Sequence, residues 1–358
     1  MEEKLIRVAI THGDTNGIGY ELIFKAFEDP MMLELCTPII YGAPKIAAYH
    51  RKALNLDINF NTIANAEEAK EGRLNLLTCF DEEMKVELGQ SSPEADIAAK
   101  KSLERALEDA GKGLVDAIVT APAKANKQLA KQGKAMNILV NEDLCMALVT
   151  KGLAIRDVAD AITQPIIVEK ATIFHQYLKK DRFISNPRIA ILALNPKGSE
   201  EEQQSEEQVI IIPAIEELEQ KGVQAFGPYP ADEFFSTDAY QRFDGVLAMY
   251  YDQGMTPFKS LNDLPRVNTV AGLDIVCTAP DTDAHLDIAG QGTADAAAMR
   301  SAIYEAVDNC RNRRHYEEPM GNPLPKLYHE KRDDSEKVRF TVLKGKQNPP
   351  APATPTEK

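Results

Sequence analysis

The sequence predicts an α/β protein with a largely parallel sheet. Residues 117–120, 188–194 and 245–249 are short apolar runs with no solvated face, which is typical of strands buried on both sides. Helical patterns alternate with these runs, and the strongest covers residues 94–113, with a regular apolar stripe that ends at two glycines. Alternating strands and helices indicate βαβ connections, and therefore a parallel sheet.

The remaining elements are assigned in chain order from the same patterns. Further strands are expected at residues 6–10, 38–42 and within 267–277. Further helices are expected at residues 20–27, at 45–54, at 155–180 with a start or kink near Pro165, at 205–220 behind a Ser205/Gln208 capping box, and at 293–311. Residues 123–136 are expected as a linker or exposed helix, 138–150 as a helix followed by a strand, and 227–232 as a rigid turn.

Composition limits the classes of partner. The 358 residues suggest one large domain or two ordinary ones, and a net charge of −14 argues against nucleic acid or an anionic membrane as a general partner. The five cysteines form no CxxC pair, which favours free thiols in a reducing cytoplasm. The charged N-terminus does not resemble a signal peptide, and no apolar stretch approaches the ~20 residues of a membrane span. We therefore expect a cytoplasmic protein.

The stretch at residues 244–259 is the main candidate site. Its strand runs into a polar cluster at the carboxyl end, where open α/β sheets bind ligands. Asp252, Gln253, Lys259 and Asn268 are expected to grip an anionic, hydroxylated small molecule; a solvated polar loop is the equally weighted alternative.

Three other patterns are weaker. The glycines of residues 13–19 suit either a ligand loop or a purely structural turn. The alternating carboxylates of residues 281–287 suit a weak magnesium site, but an acidic loop entering a helix is the favoured interpretation. The six histidines show no metal-binding spacing, no catalytic serine or cysteine motif is present, and the basic run at Lys124, Lys127, Lys131 and Lys134 is best explained as a solvated helix face.

Several segments, taken together and in order, resemble the 4-hydroxythreonine-4-phosphate dehydrogenase family of pyridoxal-phosphate biosynthesis. They are GDTNGIGYE, DAIVTAP, LAIRDVADAIT, ALNP, GPYPAD, LAMYYDQGMTPFK, VNTVAGL and DIAG, spread over residues 6–311. The resemblance implies a three-layer α/β/α subunit of the isocitrate/isopropylmalate dehydrogenase type, with two domains, a central cleft and homodimeric assembly. It also implies NAD-dependent oxidation and decarboxylation of a phosphorylated substrate, with a divalent metal held by three histidines, one of them from the partner subunit.

This chain departs from the family pattern at the metal site. The three histidine positions hold Lys151, Lys197 and Tyr251. Two ammonium groups and a phenol do not replace three imidazoles around a dication, although the lysines would attract an anion. The sequence therefore predicts no histidine-based metal site.

The phosphate-binding segments also differ. A substrate-binding arginine of the family aligns with Cys277, and the Gly-His-Thr segment expected before residue 138 is missing. Lys259 and Asn268, which bind substrate in the family, are retained, as are Asp14 and Asp252. We assign Asp252 and Lys259 as candidate catalytic residues, and Lys259 and Asn268 as candidate substrate ligands.

These observations lead to one set of expectations. The first domain should combine residues 1–122 with 281–318, the second should span 123–280, and 319–358 should be an extended tail. We expect a 4-hydroxythreonine-4-phosphate dehydrogenase-like protein with lost or strongly altered metal-dependent activity. The alternatives are a non-catalytic homologue that binds a phosphorylated ligand and a partner subunit of an active homologue.

Overall fold

A single mixed sheet of twelve strands organises the part of the chain that the structure describes. The computed structural model describes residues 4–80, 84–124, 126, 135–196, 204–261 and 263–321, without the side chain of Met320. The strands are β1 Arg7–Thr11, β2 Thr37–Gly42, β3 Asn61–Ile63, β4 Asn75–Thr78, β5 Ala117–Thr120, β6 Met136–Val140, β7 Cys145–Leu148, β8 Arg188–Leu192, β9 Gln224–Tyr229, β10 Gly245–Ala248, β11 Val267–Ala271 and β12 Val276–Pro280. Their order in the sheet is β3-β4-β2-β1-β5-β12-β11-β6-β7-β10-β8-β9.

Helices cover both faces of this sheet. They are α1 Gly19–Ala26, α2 Met32–Leu35, α3 Pro44–Ala53, α4 Pro93–Gly111, α5 Val158–Ala161, α6 Gln164–Lys180, α7 Ile212–Gln220, α8 Ala231–Ser236, α9 Tyr251–Ser260 and α10 Ala297–Gly321. Around β1, one apolar core includes α1 and α10, and the core on the opposite face includes α4. Around β10, one core includes α6 and α7, and the opposite core includes α8 and α9. The expected three-layer α/β/α architecture is confirmed.

The sheet is parallel at both flanks and antiparallel in the centre. The strand pairs β1–β2, β1–β5 and β5–β12 are parallel, as are β7–β10, β8–β10 and β8–β9. Between them, β12–β11, β11–β6 and β6–β7 are antiparallel. Strands β6 and β7, like β11 and β12, are joined by connections too short for the crossover that a parallel pair needs. The two hairpins therefore interrupt the predicted parallel pattern.

The expected helix at the start of residues 138–150 is wrong, because a turn signal was missed. The side chain of Asn141 accepts hydrogen bonds from the backbone N–H of Asp143 at 3.0 Å and of Leu144 at 2.8 Å. This Asx-type turn reverses the chain and pairs the apolar residues on either side as β6 and β7. Likewise, the expected turn at residues 227–232 begins inside β9, which pairs with β8, and continues into α8.

The expected helices are otherwise present with shifted boundaries. Helix α4 begins after Ser92, whose Oγ accepts a hydrogen bond from Ala95 N at 3.1 Å. Residues 155–180 form a short 3₁₀ turn, α5 and α6, since Pro165 suits only the first turn of a helix. One half of the expected capping box forms, since Gln208 N donates to Ser205 Oγ at 3.4 Å, but a π-helical turn, Glu207–Ile211, precedes α7.

The chain divides into two compact units, Met1–Glu318 and Pro319–Lys358. Every strand and every cavity discussed below belongs to the first unit. The predicted boundaries near residues 122 and 280 stay a prediction, and the predicted tail lies outside the described residues from 322 onward. No helix among the described residues combines the length and apolar character needed to cross a membrane.

Candidate functional site

Three adjoining cavities lie along the central strands, next to the carboxyl ends of β5, β7 and β12. We name them the loop cavity, of about 540 Å³, the lysine cavity, of about 300 Å³, and the outer cavity, of about 470 Å³. Asn137 and Asn268 line both the loop and the lysine cavity, and Lys151 and Tyr251 line both the lysine and the outer cavity. Because α/β sheets bind ligands outside the carboxyl ends of their strands, these cavities form the candidate site.

Strand pairing brings Lys151 and Tyr251 together. Strands β7 and β10 are parallel neighbours, and their hydrogen bonding continues past both ends, where Thr150 N donates to Met249 O at 3.1 Å. The Thr150 hydroxyl donates to the same carbonyl at 2.8 Å. Lys151 comes directly after Thr150 at the end of β7, and Tyr251 comes two residues after Met249 at the end of β10. Both positions expected at the family's metal site therefore face shared cavities.

The donor set at these positions does not fit the divalent metal that the resemblance implies. An ammonium group has no free lone pair while it is protonated, and its positive charge opposes a dication. Within the described residues, no group of three His, Cys, Asp or Glu side chains is arranged to hold a metal ion. Lys197, the third position, lies outside the described residues.

Lys259 and Asn268 meet at the carboxylate of Asp281. The Lys259 ammonium lies 3.2 Å from Asp281 Oδ2, and the Asn268 amide donates to Asp281 Oδ1 at 3.1 Å. The guanidinium of Arg266 lies 3.6 Å from Asp281 Oδ2 through its Nε. The last turn of α9, the start of β11 and the end of β12 thus converge on one carboxylate.

The two polar residues at the start of α9 have different roles. The side chain of Gln253 accepts a hydrogen bond from Met249 N at 2.8 Å and donates to Ala193 O at 2.6 Å. It therefore joins the ends of β10 and β8, and its expected role in gripping a ligand stays a prediction. Asp252 is exposed in the wall of the outer cavity, whose other residues do not include Lys259.

A buried glutamate shapes the loop that follows β8. Glu207 is fully buried, and its Oε1 accepts hydrogen bonds from Leu194 N at 2.9 Å and Asn195 N at 2.8 Å. It lies in the π-helical turn, a local irregularity that occurs often at functional sites. This contact fixes the backbone of Leu194 and Asn195, shortly before position 197.

The glycine-rich loop after β1 is a structural turn. A side chain at Gly17 would meet Ala284 O at 2.5 Å, and one at Gly13, where φ is +71°, would meet Pro122 O at 2.5 Å. The glycines thus let this loop pack against two other loops, as the structural interpretation expects. Asp14 alone of the loop lines the loop cavity, and burial raises the pKa of its carboxyl group.

The acidic segment at residues 281–287 does not gather its side chains at one centre. Asp281 faces Lys259 and Asn268, whereas His285 Nδ1 lies 3.7 Å from Asp287 Oδ1. The chain then makes a short 3₁₀ turn, Leu286–Ile288, ahead of α10. This arrangement agrees with the favoured interpretation, an acidic loop that leads into a helix.

Cys277 is 1% exposed and lies in the wall of the loop cavity. Its burial raises the pKa of the thiol to about 12, so the group is neutral near pH 7. It supplies no charge for a ligand at the position where the family carries an arginine.

Two basic residues of the site were missed at the level of sequence. Lys170 projects from α6 into the lysine cavity, and nothing in a helical sequence marks which lysine will face a cavity. Arg266 had a usable signal, since it lies two residues before Asn268 in an extended segment, where alternate side chains share a face.

The fold and the cleft define an α/β protein of the dehydrogenase type. The sequence pattern of the family described as pyridoxal phosphate biosynthetic protein PdxA matches residues 34–306, and the chain belongs to this family. A 4-hydroxythreonine-4-phosphate dehydrogenase of Bacteroides thetaiotaomicron is 48% identical over 361 residues, covering 96% of this chain and 99% of the relative. The expected family resemblance is confirmed.

Solved structures support the same assignment. The 4-hydroxythreonine-4-phosphate dehydrogenase of Burkholderia phymatum matches with a TM-score of 0.71 and 28% identity, over 86% of this chain and 99% of that chain. The enzyme of the same name from Klebsiella pneumoniae matches with a TM-score of 0.73 and 27% identity, over 86% and 100% of the two chains.

Proposed function

We propose that this PdxA-family protein binds a small phosphorylated ligand in the cleft, and that the metal-dependent reaction is lost or strongly altered. The family reaction is the NAD-dependent oxidation and decarboxylation of 4-phosphooxy-threonine. The observation that carries the proposal is the presence of Lys151 and Tyr251, at two expected metal-histidine positions, in the wall of one cavity with Asn268 and Asp281.

The loss of the metal site has a large energetic consequence. A Lewis acid supplies several kcal/mol of transition-state stabilisation, and each ~1.4 kcal/mol is a factor of ten in rate. Lysine can stabilise a developing oxyanion, so an altered reaction that uses Lys151 or Lys197 is the form of catalysis that this chain could support. A non-catalytic ligand-binding protein is the other form of the same proposal.

The charges of the cleft support an anionic ligand. Lys151 and Lys170 line the lysine cavity, and Lys259 and Arg266 surround Asp281 at its border. Two asparagines, Asn137 and Asn268, add amide donors to this wall. A phosphate monoester carries a charge of about −2 near pH 7 and several strong acceptor oxygens, which match these donors.

NAD is the cofactor that we propose if the dehydrogenase chemistry is retained. Among the described residues, three carboxylates, Asp14, Asp283 and Asp287, line the loop cavity together with Lys124. Carboxylates bind the ribose hydroxyls of NAD, whereas they repel the additional phosphate of NADP. These residues fit the ribose part of a nicotinamide cofactor. The nicotinamide ring of that cofactor would accept the hydride.

Enzyme assay of the purified protein tests the proposal. We expect no turnover, or turnover at least a thousandfold below that of an active family member, with NAD, zinc or magnesium and the phosphorylated substrate. Such a ratio corresponds to about 4 kcal/mol of lost transition-state stabilisation. Turnover at the rate of an active family member would contradict the proposal.

Rebuilding the histidine set provides the complementary test. The triple variant Lys151→His, Lys197→His and Tyr251→His is expected to bind zinc measurably tighter than the unmodified protein in a competition titration with a chelator. A matched control replaces Tyr304 instead of Tyr251, because the two tyrosines are 45% and 44% exposed. Equal zinc affinity of both triple variants would show that these positions do not converge.

Assembly as a homodimer is a further part of the proposal. Leu153, Ile155 and Tyr251 are 47%, 67% and 44% exposed and surround the outer cavity, where a second subunit would bury them. Light scattering should give a dimer mass, and Ile155→Glu should weaken the dimer while Met31→Glu, at a distant residue that is 70% exposed, should not. Co-purification of a second related chain would instead favour a partner subunit of an active homologue.

A further inference from the structure

The carboxylate of Asp281 is shared by three donors from different elements. We define the Asp281 cluster as Asp281, Lys259, Arg266 and Asn268. Its distances are 3.2 Å from Lys259 Nζ to Oδ2, 3.6 Å from Arg266 Nε to Oδ2, and 3.1 Å from Asn268 Nδ2 to Oδ1. Two cations thus face one anion, which leaves the cluster with an excess of one positive charge.

The bonding inside the Asp281 cluster is incomplete. Asp281 Oδ2 and Arg266 Nε are both buried, and neither has a hydrogen-bond partner among the described residues. The two ion-pair distances to Asp281 Oδ2 are short, but the geometry at these atoms is poor for hydrogen bonds. A buried charged donor without an acceptor is costly, so the cluster would gain from an acceptor placed in line with the guanidinium.

The backbone around Asp281 is held independently of its side chain. Asp281 N donates to Arg266 O at 2.9 Å, and Asn268 pairs with Ala279 in the ladder between β11 and β12. The side chains of Lys259 and Arg266 are 43% and 30% exposed, whereas that of Asp281 is 17% exposed. The carboxylate can therefore rotate away while the strand ends and their donors remain in position.

We propose that Asp281 occupies a phosphate-binding site when no ligand is present, and that Arg266 is a phosphate-binding residue of that site. The inference rests on the proposed binding of a phosphorylated ligand in this cleft. A phosphate monoester offers more charge and more acceptor oxygens than one carboxylate, and a guanidinium binds two of those oxygens together. Because phosphate and carboxylate repel each other, the Asp281 side chain leaves the donors when the ligand binds.

Displacement of Asp281 lowers the apparent affinity for the ligand. The free protein already satisfies part of the positive charge of Lys259 and Arg266, and that interaction is given up on binding. The same carboxylate excludes ligands that lack a strong anionic group, since only a competing anion recovers what is lost. Asp281 would thus determine specificity for phosphorylated molecules without touching them.

Titration calorimetry with inorganic phosphate tests this inference. We expect Asp281→Asn to bind phosphate at least tenfold more tightly than the unmodified protein, because the competing charge is gone while an amide remains. We expect Arg266→Gln to bind at least tenfold more weakly, and Arg266→Lys to recover only part of the loss, since lysine lacks the planar pair of donors. The exposed residues Asp232 and Arg242 provide matched controls as Asp232→Asn and Arg242→Gln, which should leave the affinity unchanged.

The outcomes separate this inference from the proposed function. If the unmodified protein binds phosphate and Asp281→Asn binds it equally or more weakly, Asp281 does not compete with the ligand and the inference is overturned. An unchanged affinity of Arg266→Gln overturns it as well. If neither the unmodified protein nor Asp281→Asn binds phosphate, the proposed ligand fails too.

Binding by the Asp281→Asn variant alone would support the displacement of Asp281 in its strongest form.

A second variant guards against a loss of folding. Asp281→Glu keeps the charge, so its affinity should stay below that of Asp281→Asn, and each variant is compared through its own phosphate-induced rise in melting temperature. Equal phosphate-induced rises in melting temperature for Asp281→Asn and Asp281→Glu would overturn the inference.

Discussion

Acidification should destabilise the protein through two buried histidines. The ring of Tyr20 lies between His12, with ring centroids 5.3 Å apart, and His50, with centroids 4.9 Å apart. His12 is 0% exposed and His50 is 1% exposed. Burial disfavours the imidazolium form and lowers the pKa of each histidine from 6.5 to about 4.

The size of the effect follows from the two pKa values. A histidine whose pKa falls from 6.5 to about 4 on folding binds its proton more readily in the unfolded chain. Stability is therefore highest above pH 6.5 and is lost as the pH falls toward 4. At pH 5, linkage gives a loss of roughly 2 kcal/mol per histidine, or roughly 4 kcal/mol for the pair. This is a large part of the free energy of unfolding of a typical folded protein, which is roughly 5–15 kcal/mol.

Urea unfolding at a series of pH values between about 7.5 and 5 measures this loss. The free energy of unfolding should fall as the pH is lowered, and His50→Gln should reduce the slope by about one proton. His315→Gln is the matched control, because His315 is exposed on α10 and solvated in both states. Burial also lowers the pKa of His175, which adds to the loss, and raises the pKa values of Asp14, Asp181 and Asp308, which oppose it. The comparison between variants therefore isolates the contribution of His50. Equal slopes for His50→Gln and the unmodified protein would refute the reasoning.

Three further predictions concern stability, two at residues that support the site and one at an ion pair elsewhere in the molecule. Gly17→Ala should destabilise the protein by about 1–3 kcal/mol, since the new Cβ would lie 2.5 Å from Ala284 O. Gln253→Ala should cost about 1–3 kcal/mol, because it leaves two backbone groups without their hydrogen-bond partner. Arg182→Met should cost on the order of 3 kcal/mol, because Arg182 Nη1 lies 2.7 Å from the mostly buried carboxylate of Glu305, which would lose its cation. Chemical denaturation with a single spectroscopic probe measures all three.

Each of these predictions has a control and a contradicting result. Gly111→Ala, at a helical glycine with open space around it, should be neutral or stabilising, and a cost equal to that of Gly17→Ala would contradict the packing argument. Gln291→Ala, which removes only an exposed hydrogen bond, should cost much less than Gln253→Ala. The double variant Arg182→Met/Glu305→Gln should recover part of the loss, and a purely additive loss would exclude the ion pair as its cause.

The elements that sequence predicted well are those whose signals are local. The strand of residues 117–120 coincides with β5, and the helix expected over residues 94–113 matches α4. The spacing of apolar residues, the serine that caps α4 and the glycines at its end each act within a few residues. The parallel pairing at both flanks follows from strands that alternate with helices. The β6–β7 hairpin was missed because the local turn signal at Asn141 was not recognised. The pairing of β6 with β11 joins segments that are far apart in the chain, which no local pattern encodes.

The sequence by itself determined the family, and it fixed which residue types stand at the expected site positions: lysine at residues 151, 197 and 259, tyrosine at 251 and asparagine at 268. Residue identity decides which of these groups can bind a metal. Only the tertiary structure decided which of these groups share a cavity. It placed Tyr251 beside Lys151, used Gln253 to join the ends of β8 and β10, and gathered Lys259, Asn268 and Arg266 around the carboxylate of Asp281. The physical reason is that side chains from distant parts of the chain meet only where strand ends converge, and strand order is a property of the assembled sheet.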